Sequence, residues 1–335
     1  MDQTLHPFAK YIAILARGKT KTRALDLAES TDAMEMILKG ETLPEQVGAF
    51  LMLMRLKEET PEEIAGFTIG ARSTFNLPNK IPKVDIDWSS YAGKRRQLPW
   101  FMFSIFLLAQ NGIKVFLHGT EGHTPNRVYT SDVLKILNIE MAKDLKQAAK
   151  QIEKTNFTYV PLEVLSPKLR ELIDMRPILG LRSPVHSFSR MLNPFNAPLM
   201  MQGIFHRGFV EIHTGAAMIL KQEKMAVFRG EGGEIEFRPN KPNVVYSTFS
   251  DEKEEKESWN ALLPNPQQEV DEDMNIADMS DLWSGKKDNE YGKAATIGTL
   301  AIALKALGKS ENKDEAIELA TKMWEGRDKS SFLKV

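Results

Sequence analysis

Apolar residues recur every three to four positions through the first 77 residues, between recognisable starts and stops, so this segment reads as a set of helices. Phe8, Tyr11, Ile12 and Leu15 make one apolar face. Ser30 or Thr31 is placed to cap a second helix, whose stripe is Met34, Ile37 and Leu38 and whose stop is Gly40. Thr42 with Glu45 has the spacing of a capping box, with Pro44 in the first turn and Val47, Phe50, Leu51 and Met54 as the buried stripe. Thr60 with Glu63 repeats the device, Pro61 opening a helix lined by Ile64, Phe67 and Ala71, and the pair predicts a helical hairpin over 42–73.

From Pro82 the period changes. Short β-rich runs alternate with helical stretches, the pattern of a mainly parallel sheet covered by helices. The clearest unit is a strand over Leu199 to Phe205, a helix over Phe209 to Leu220 and a strand over Lys224 to Arg229. Further strands are predicted at Lys114 to Leu117, Thr158 to Leu162, Ile235 to Arg238 and Val244 to Phe249. Helices are predicted from Ser131, at Leu145 to Glu153, at Ala294 to Leu307 before Gly308, and after Asn312 with Glu315. Residues 166–195 look helical again but are broken by Pro167, Pro177, Pro184 and Pro194. The expected architecture is α/β: a small helical domain over 1–77, completed by 166–195, and a larger α/β domain over 82–165 and 196–335.

The absence of cysteine among 335 residues removes disulfides, thiolate zinc sites and a thiol nucleophile, and makes the cytoplasm the expected compartment. The longest apolar run, Leu98 to Ala109, is about half of the roughly 20 residues a membrane-spanning helix needs, so no membrane partner is expected. The N-terminus is too polar for a signal peptide. Total charge is −1, yet residues 251–281 carry eleven acids against Lys253 and Lys256, leaving +8 for the rest of the chain. That acidic stretch is expected to be a solvated loop.

The hairpin from Gly40 to Phe67 closely resembles the N-terminal domain of anthranilate phosphoribosyltransferase and its relatives in glycosyltransferase family 3, the type II nucleoside phosphorylase group. Downstream, VFLHG (Val115 to Gly119), RPILGLRS (Arg176 to Ser183), LNPFNAP (Leu192 to Pro198) and FRGEGGEIE (Phe228 to Glu236) follow in the family's order. The resemblance implies an active cleft between the helical and α/β domains and homodimerisation through the helical domain. It also implies phosphoribosyl pyrophosphate and magnesium as ligands of an active member.

The family's loop D-x-x-G-T-G-G-D, followed by N-x-S-T, cradles pyrophosphate with crowded backbone N–H groups and hydroxyls. Aligned without a gap, Asp85 to Phe101 puts Trp88, Ser90 and Tyr91 at the three glycines, Ala92 at the aspartate, and Trp100 and Phe101 at the Ser and Thr. The magnesium-binding Asp-Glu of the family falls on Ile235 and Glu236, so Glu236 is the one candidate metal ligand left, with Glu231 and Glu234 nearby. In the K-H-G-N-R motif the chain keeps His118 and Gly119 but has Thr120 and Glu121 for Asn and Arg. Arg176 matches the arginine that holds anthranilate, and Arg182 the family's next arginine.

Gains accompany these losses. Lys94, Arg95 and Arg96 enter the rewritten loop among Trp88, Tyr91 and Trp100, and Arg17, Lys19, Lys21 and Arg23 cluster near the N-terminus. Both features resemble the YbiB-type branch of the family, in which the resemblance implies nucleic-acid binding in place of transfer. Cations on phosphates and aromatic faces on bases are the ingredients of sequence-tolerant single-strand binding. The expectation is a homodimeric, catalytically retired family member that binds single-stranded DNA or RNA through Arg17, Lys19, Lys21, Arg23, Lys94, Arg95 and Arg96. The alternative is a divergent phosphoribosyltransferase with Arg176 and Glu236 at its centre, His118, Gly119, Arg176 and Arg182 binding substrate, and magnesium as cofactor.

Overall fold

The computed structural model describes residues 5–18, 20–251, 253–267, 271 and 273–333. Four helices open the chain: α1 (Ala9–Ala16), α2 (Leu27–Leu38), α3 (Pro44–Lys57) and α4 (Pro61–Arg72). The Thr60–Glu63 capping box forms, with Glu63 N donating to Thr60 Oγ1 (3.3 Å) and Thr60 N to Glu63 Oε2 (2.9 Å). Two expected caps shift. Helix α2 begins at Asp26, whose carboxylate accepts from Glu29 N (2.8 Å), so Ser30 and Thr31 lie inside the helix. Helix α3 begins after Leu43, and Gln46 in place of Glu45 reaches back to the cap amide (3.0 Å).

The remainder is built on one seven-stranded sheet of order β3-β2-β1-β4-β5-β6-β7. Its elements in chain order are β1 (Ile86–Ser90), α5 (Phe101–Gln110), β2 (Val115–Gly119), α6 (Thr130–Ile136), α7 (Leu145–Thr155) and β3 (Phe157–Pro161). Short helices follow at α8 (Leu162–Leu165), α9 (Pro167–Asp174), α10 (Arg176–Leu179) and α11 (Val185–Phe188). Then come β4 (Leu199–Ile204), α12 (Phe209–Ile219), β5 (Lys224–Arg229), β6 (Asn243–Phe249), β7 (Glu254–Trp259), α13 (Ala277–Ser284), α14 (Glu290–Ala306) and α15 (Lys313–Glu325). Strands β1 to β5 pair in parallel, whereas β5–β6 and β6–β7 are antiparallel.

Alternation along the strands divides the core in two. Ile86, Trp88, Val115, Leu117, Met201 and Phe228 pack with α5, α14 and α15, while Phe116, Met200, Met225 and Val227 on the other face join the cluster that includes α1 to α4. The segment between β3 and β4 lies on that second side: the Phe188 ring meets Phe67 at 5.6 Å, and Arg72 donates to the carbonyls of Leu192 (2.7 Å) and Met191 (2.9 Å).

Three expectations are corrected. Strand β1 lies where a replaced loop was read, because the buried face of Asp87 and Ser89 hides the apolar alternation. Residues 235–238 form no strand: Gly232 (φ 64°) and Gly233 (φ 97°) turn the chain off the sheet, and β6 takes the position beside β5. The acidic stretch 251–281 is not a solvated loop throughout, since it contains β7 and most of α13. No helix among the described residues is long and apolar enough to cross a membrane.

Candidate functional site

Strands β1 and β4 end beside the helical domain, where Tyr91 and Gly203 share a cleft with Arg55, and the chain leaving β1 at Tyr91 forms a loop most of whose amides face acceptors. Glu234 Oε1 accepts from the amides of Ala92 and Gly93, both at 2.6 Å. Glu231 Oε1 accepts from those of Arg95 (3.2 Å) and Arg96 (2.9 Å). Asp271 takes the amide of Leu98 (2.6 Å), and Glu236 Oε2 that of Phe101 (2.9 Å). The amide of Lys94 pairs with the Val128 carbonyl at 2.8 Å. Converging N–H groups of this kind attract anions, and here the chain's own carboxylates supply them.

Lys94 completes the arrangement from inside. It is 1% exposed, its ammonium bridges Glu236 and Glu231 (3.0 Å to the latter), and it is not part of an exposed basic run. Burial opposes its charge, but the two carboxylates outweigh burial and hold the ammonium above its ordinary value. Arg95 and Arg96 are exposed and make no ion pair among the described residues. Trp88, Tyr91 and Trp100 are buried, with Trp88 stacked on Phe101, so the first and last serve as core.

Magnesium does not fit the residues present. Both Glu236 oxygens are engaged, one by Lys94 and one by the Phe101 amide, Ile235 offers no oxygen, and the described residues hold no group of three or more potential ligands. His118 and Gly119 do not face a cleft either. His118 is fully buried, bonded through Nδ1 to the Tyr91 hydroxyl (2.8 Å) and through Nε2 to Asp87 Oδ2 (3.3 Å). A Cβ on Gly119 would stand 1.9 Å from the Ser90 carbonyl oxygen, so this glycine serves strand packing.

Beside the loop lies a cleft of about 180 Å³, lined by Arg55 of α3, Tyr91, Arg182, His186 and Arg190, and by Phe205 and His213 at β4 and α12. No acidic residue lines it. Arg190 donates to the carbonyl of Gly233 (3.0 Å), and its guanidinium lies 5.8 Å over the Tyr91 ring. Arg182 and Arg176 both donate to Thr124 Oγ1, at 3.1 and 3.0 Å. None of Arg55, Arg176, Arg182 and Arg190 has a carboxylate partner among the described residues. Burial, together with Arg176, Arg127 and Arg190, pushes the Arg182 guanidinium below its ordinary value. The histidines stay neutral. Burial and then its neighbours His123 and Arg182 bring His186 down to about 3, and burial followed by Arg190 brings His213 to about 3.

The N-terminal basic residues stand apart from the loop. Arg17 and Lys21 are exposed, Lys19 lies outside the described residues, and Arg23 is held by both Glu29 oxygens at 2.6 and 2.7 Å. Two residues after Arg23, Leu25 N donates to Glu63 Oε1 (2.9 Å), and Glu63 pairs with Lys57 of α3 (2.7 Å). Sequence reading passed over Arg55, Phe205, His213 and Asp271, which fall in no motif. Glu231 and Glu234 drew notice as acids near a metal position, whereas they bind amides.

Residues 9–74 match a family model described as the helical bundle domain of a glycosyl transferase family, and residues 102–326 match that family's α/β domain. The chain therefore belongs to this glycosyl transferase family, and the rewritten loop lies between the two matched stretches. Within the family it is similar to an anthranilate phosphoribosyltransferase of Dictyoglomus turgidum, at 23% identity over 88% of this chain and 89% of the relative. It is also 25% identical to an uncharacterized protein of Aquifex aeolicus, over 90% and 94%. Among solved structures, the anthranilate phosphoribosyltransferase of Thermus thermophilus superposes with a TM-score of 0.76 at 20% identity, covering 96% of this chain and 94% of the other. The Saccharomyces cerevisiae enzyme in complex with PRPP and Mg superposes with a TM-score of 0.75 at 16% identity, with the same coverage. These likenesses agree on the fold.

Proposed function

We propose that this family member binds single-stranded nucleic acid through its cleft and has given up the standard phosphoribosyl transfer. The observation that carries the reading is a cleft with Arg55, Arg182 and Arg190 on its walls and no acidic residue among them. Guanidinium groups that form no ion pair favour phosphate, and neutralising several phosphates at once gives binding that depends steeply on salt. Exposed Arg95 and Arg96 on the neighbouring loop, and exposed Arg17 and Lys21 between α1 and α2 of the helical domain, add further cations. The filled amide loop supports the loss of transfer. An incoming pyrophosphate would have to displace Glu231 and Glu234 and leave buried carboxylates without their donors, a cost of several kcal/mol.

Anisotropy of a fluorescent single-stranded oligonucleotide, followed across a salt series, tests the binding. Affinity is expected to fall linearly on a log–log plot, and Arg55→Ala with Arg182→Ala to weaken it and to flatten the slope by about one per lost phosphate contact. No binding at low salt would overturn the reading. In a melting experiment, phosphoribosyl pyrophosphate with magnesium is expected to leave Tm unchanged. A clear rise would favour the divergent transferase, for which Arg176, sharing Thr124 Oγ1 with the cleft residue Arg182, is the best support.

A further inference from the structure

The inner wall of the cleft holds polar groups that the chain itself leaves unused. Both ring nitrogens of His213, which is 2% exposed, lack a hydrogen-bond partner within the chain, as do His186 Nε2 and Ser183 Oγ. All three residues line the cleft. Buried polar groups without partners are costly, and several around one cavity point to a ligand that satisfies them. Their chemistry is mixed. His186 Nδ1 faces the Ser183 carbonyl at 3.2 Å, and a carbonyl only accepts, so Nδ1 carries the proton and Nε2 is an acceptor. Neutral His213 offers one donor and one acceptor, and Ser183 offers a donor.

Three further features narrow the ligand. Arg182 and Arg190 supply charge on the same wall, and α12 starts at Phe209 with its positive end at the cavity. Glu234, next to the lining Gly233, gives Oε1 to the amides of Ala92 and Gly93, while its Oε2 has no partner among the described residues and its charge favours that of Arg190, so Arg182 is the cation least compensated. At the mouth, Phe205 is 47% exposed, a large apolar ring left in water with the Arg229 guanidinium 5.6 Å from its centre. A ring so placed suits base stacking. The cavity's 180 Å³ is below the roughly 300–1,000 Å³ of ordinary ligand pockets, so it takes one terminal group while the rest of a strand lies outside it on exposed cations such as Arg95 and Arg96.

We infer that the cleft is a site for a nucleotide's phosphate monoester, held by Arg182, Arg190, His213 and Ser183, with the base on Phe205 and a sugar hydroxyl or the phosphate's own O–H donating to His186. The ligand is either the terminal phosphate of a strand or a free mononucleotide. This deepens the proposed function, since a strand would enter end first. A phosphodiester inside a strand has two free oxygens and needs an exit on both sides, whereas a monoester presents three oxygens and needs one.

The test compares oligonucleotides of one sequence carrying a 5′-phosphate, a 3′-phosphate or hydroxyl ends, with adenosine and uridine monophosphates as competitors. A gain of tenfold or more from a terminal phosphate, together with competition by a monophosphate but not by the matching nucleoside, is expected. That gain should shrink toward one in His213→Phe and Arg190→Gln. Phe205→Ala, at the exposed mouth where folding is not at risk, should weaken competition by the monophosphates. Equal binding of all three oligonucleotides without competition overturns the inference while leaving the nucleic-acid reading standing. Monophosphate binding without oligonucleotide binding supports the site as one for free mononucleotides and overturns the nucleic-acid reading.

Discussion

Lys94 and Arg95 are neighbours in sequence with opposite surroundings, because the strand-like pairing of Lys94 with Val128 turns its side chain inward while Arg95 remains outside. A triplet of cations in one loop reads as a binding run, and only the fold reveals that the first of them neutralises Glu231 and Glu236. Replacing Lys94 by Met is expected to cost about 3–5 kcal/mol of stability, since the buried Glu236 and the partly buried Glu231 would lose their counter-charge. Urea denaturation measures this, with Arg95→Ala and Arg96→Ala expected to change stability by less than about 0.5 kcal/mol. The same opposition explains Glu231 and Glu234. Their sequence position suggested metal ligands, and their geometry makes them the anions of an amide-rich loop.

Helices were legible because periodicity and caps are local signals. The Thr60–Glu63 box, Pro61 and the apolar stripe of α4 all point the same way, and the βαβ unit over β4, α12 and β5 appears within one residue of its expected bounds. Strand β1 and the cleft were not legible, because their side chains are decided by partners far along the chain: Asp87 by His118, and the loop at 92–101 by residues 231–236 and 271. The close crossing of α2 and α4 is another long-range fact. A Cβ on Gly66 would lie 2.4 Å from Ser30 Cβ, and one on Gly70 would lie 2.6 Å from the Thr31 carbonyl oxygen. Gly66→Ala is therefore expected to destabilise the protein by about 1–3 kcal/mol through overpacking, despite alanine's better helix propensity. Thermal melting would show it as a lowered Tm.

Across the whole molecule, three neutral histidines gather on the helical side of the sheet. Burial is the first cause in each, bringing His123 to about 4 and His186 and His213 to about 3, against an ordinary value of 6.5. The unfolded chain takes up these protons as pH falls through about 6.5, whereas the folded chain does not until much lower. Stability is therefore expected to fall between pH 6.5 and about 4, by up to about 1.4 kcal/mol per pH unit for each histidine. Denaturation at pH 7.5, 6 and 5 measures the slope, and His213→Phe should make it shallower. The strand order ends at β7, a largely exposed edge strand whose six residues include Glu254, Glu255 and Glu257 with one lysine, Lys256, and whose Ser258 carbonyl accepts from Lys313 (2.7 Å). A second copy adding itself there in parallel register would set each glutamate against its own twin, so this edge repels recruitment of further strands. Part of the stretch that reads in the sequence as a solvated acidic loop is thus the last strand of the sheet, and neutralising Glu254, Glu255 and Glu257 together to Gln is expected to make the concentrated protein more prone to fibrous aggregation, which light scattering measures.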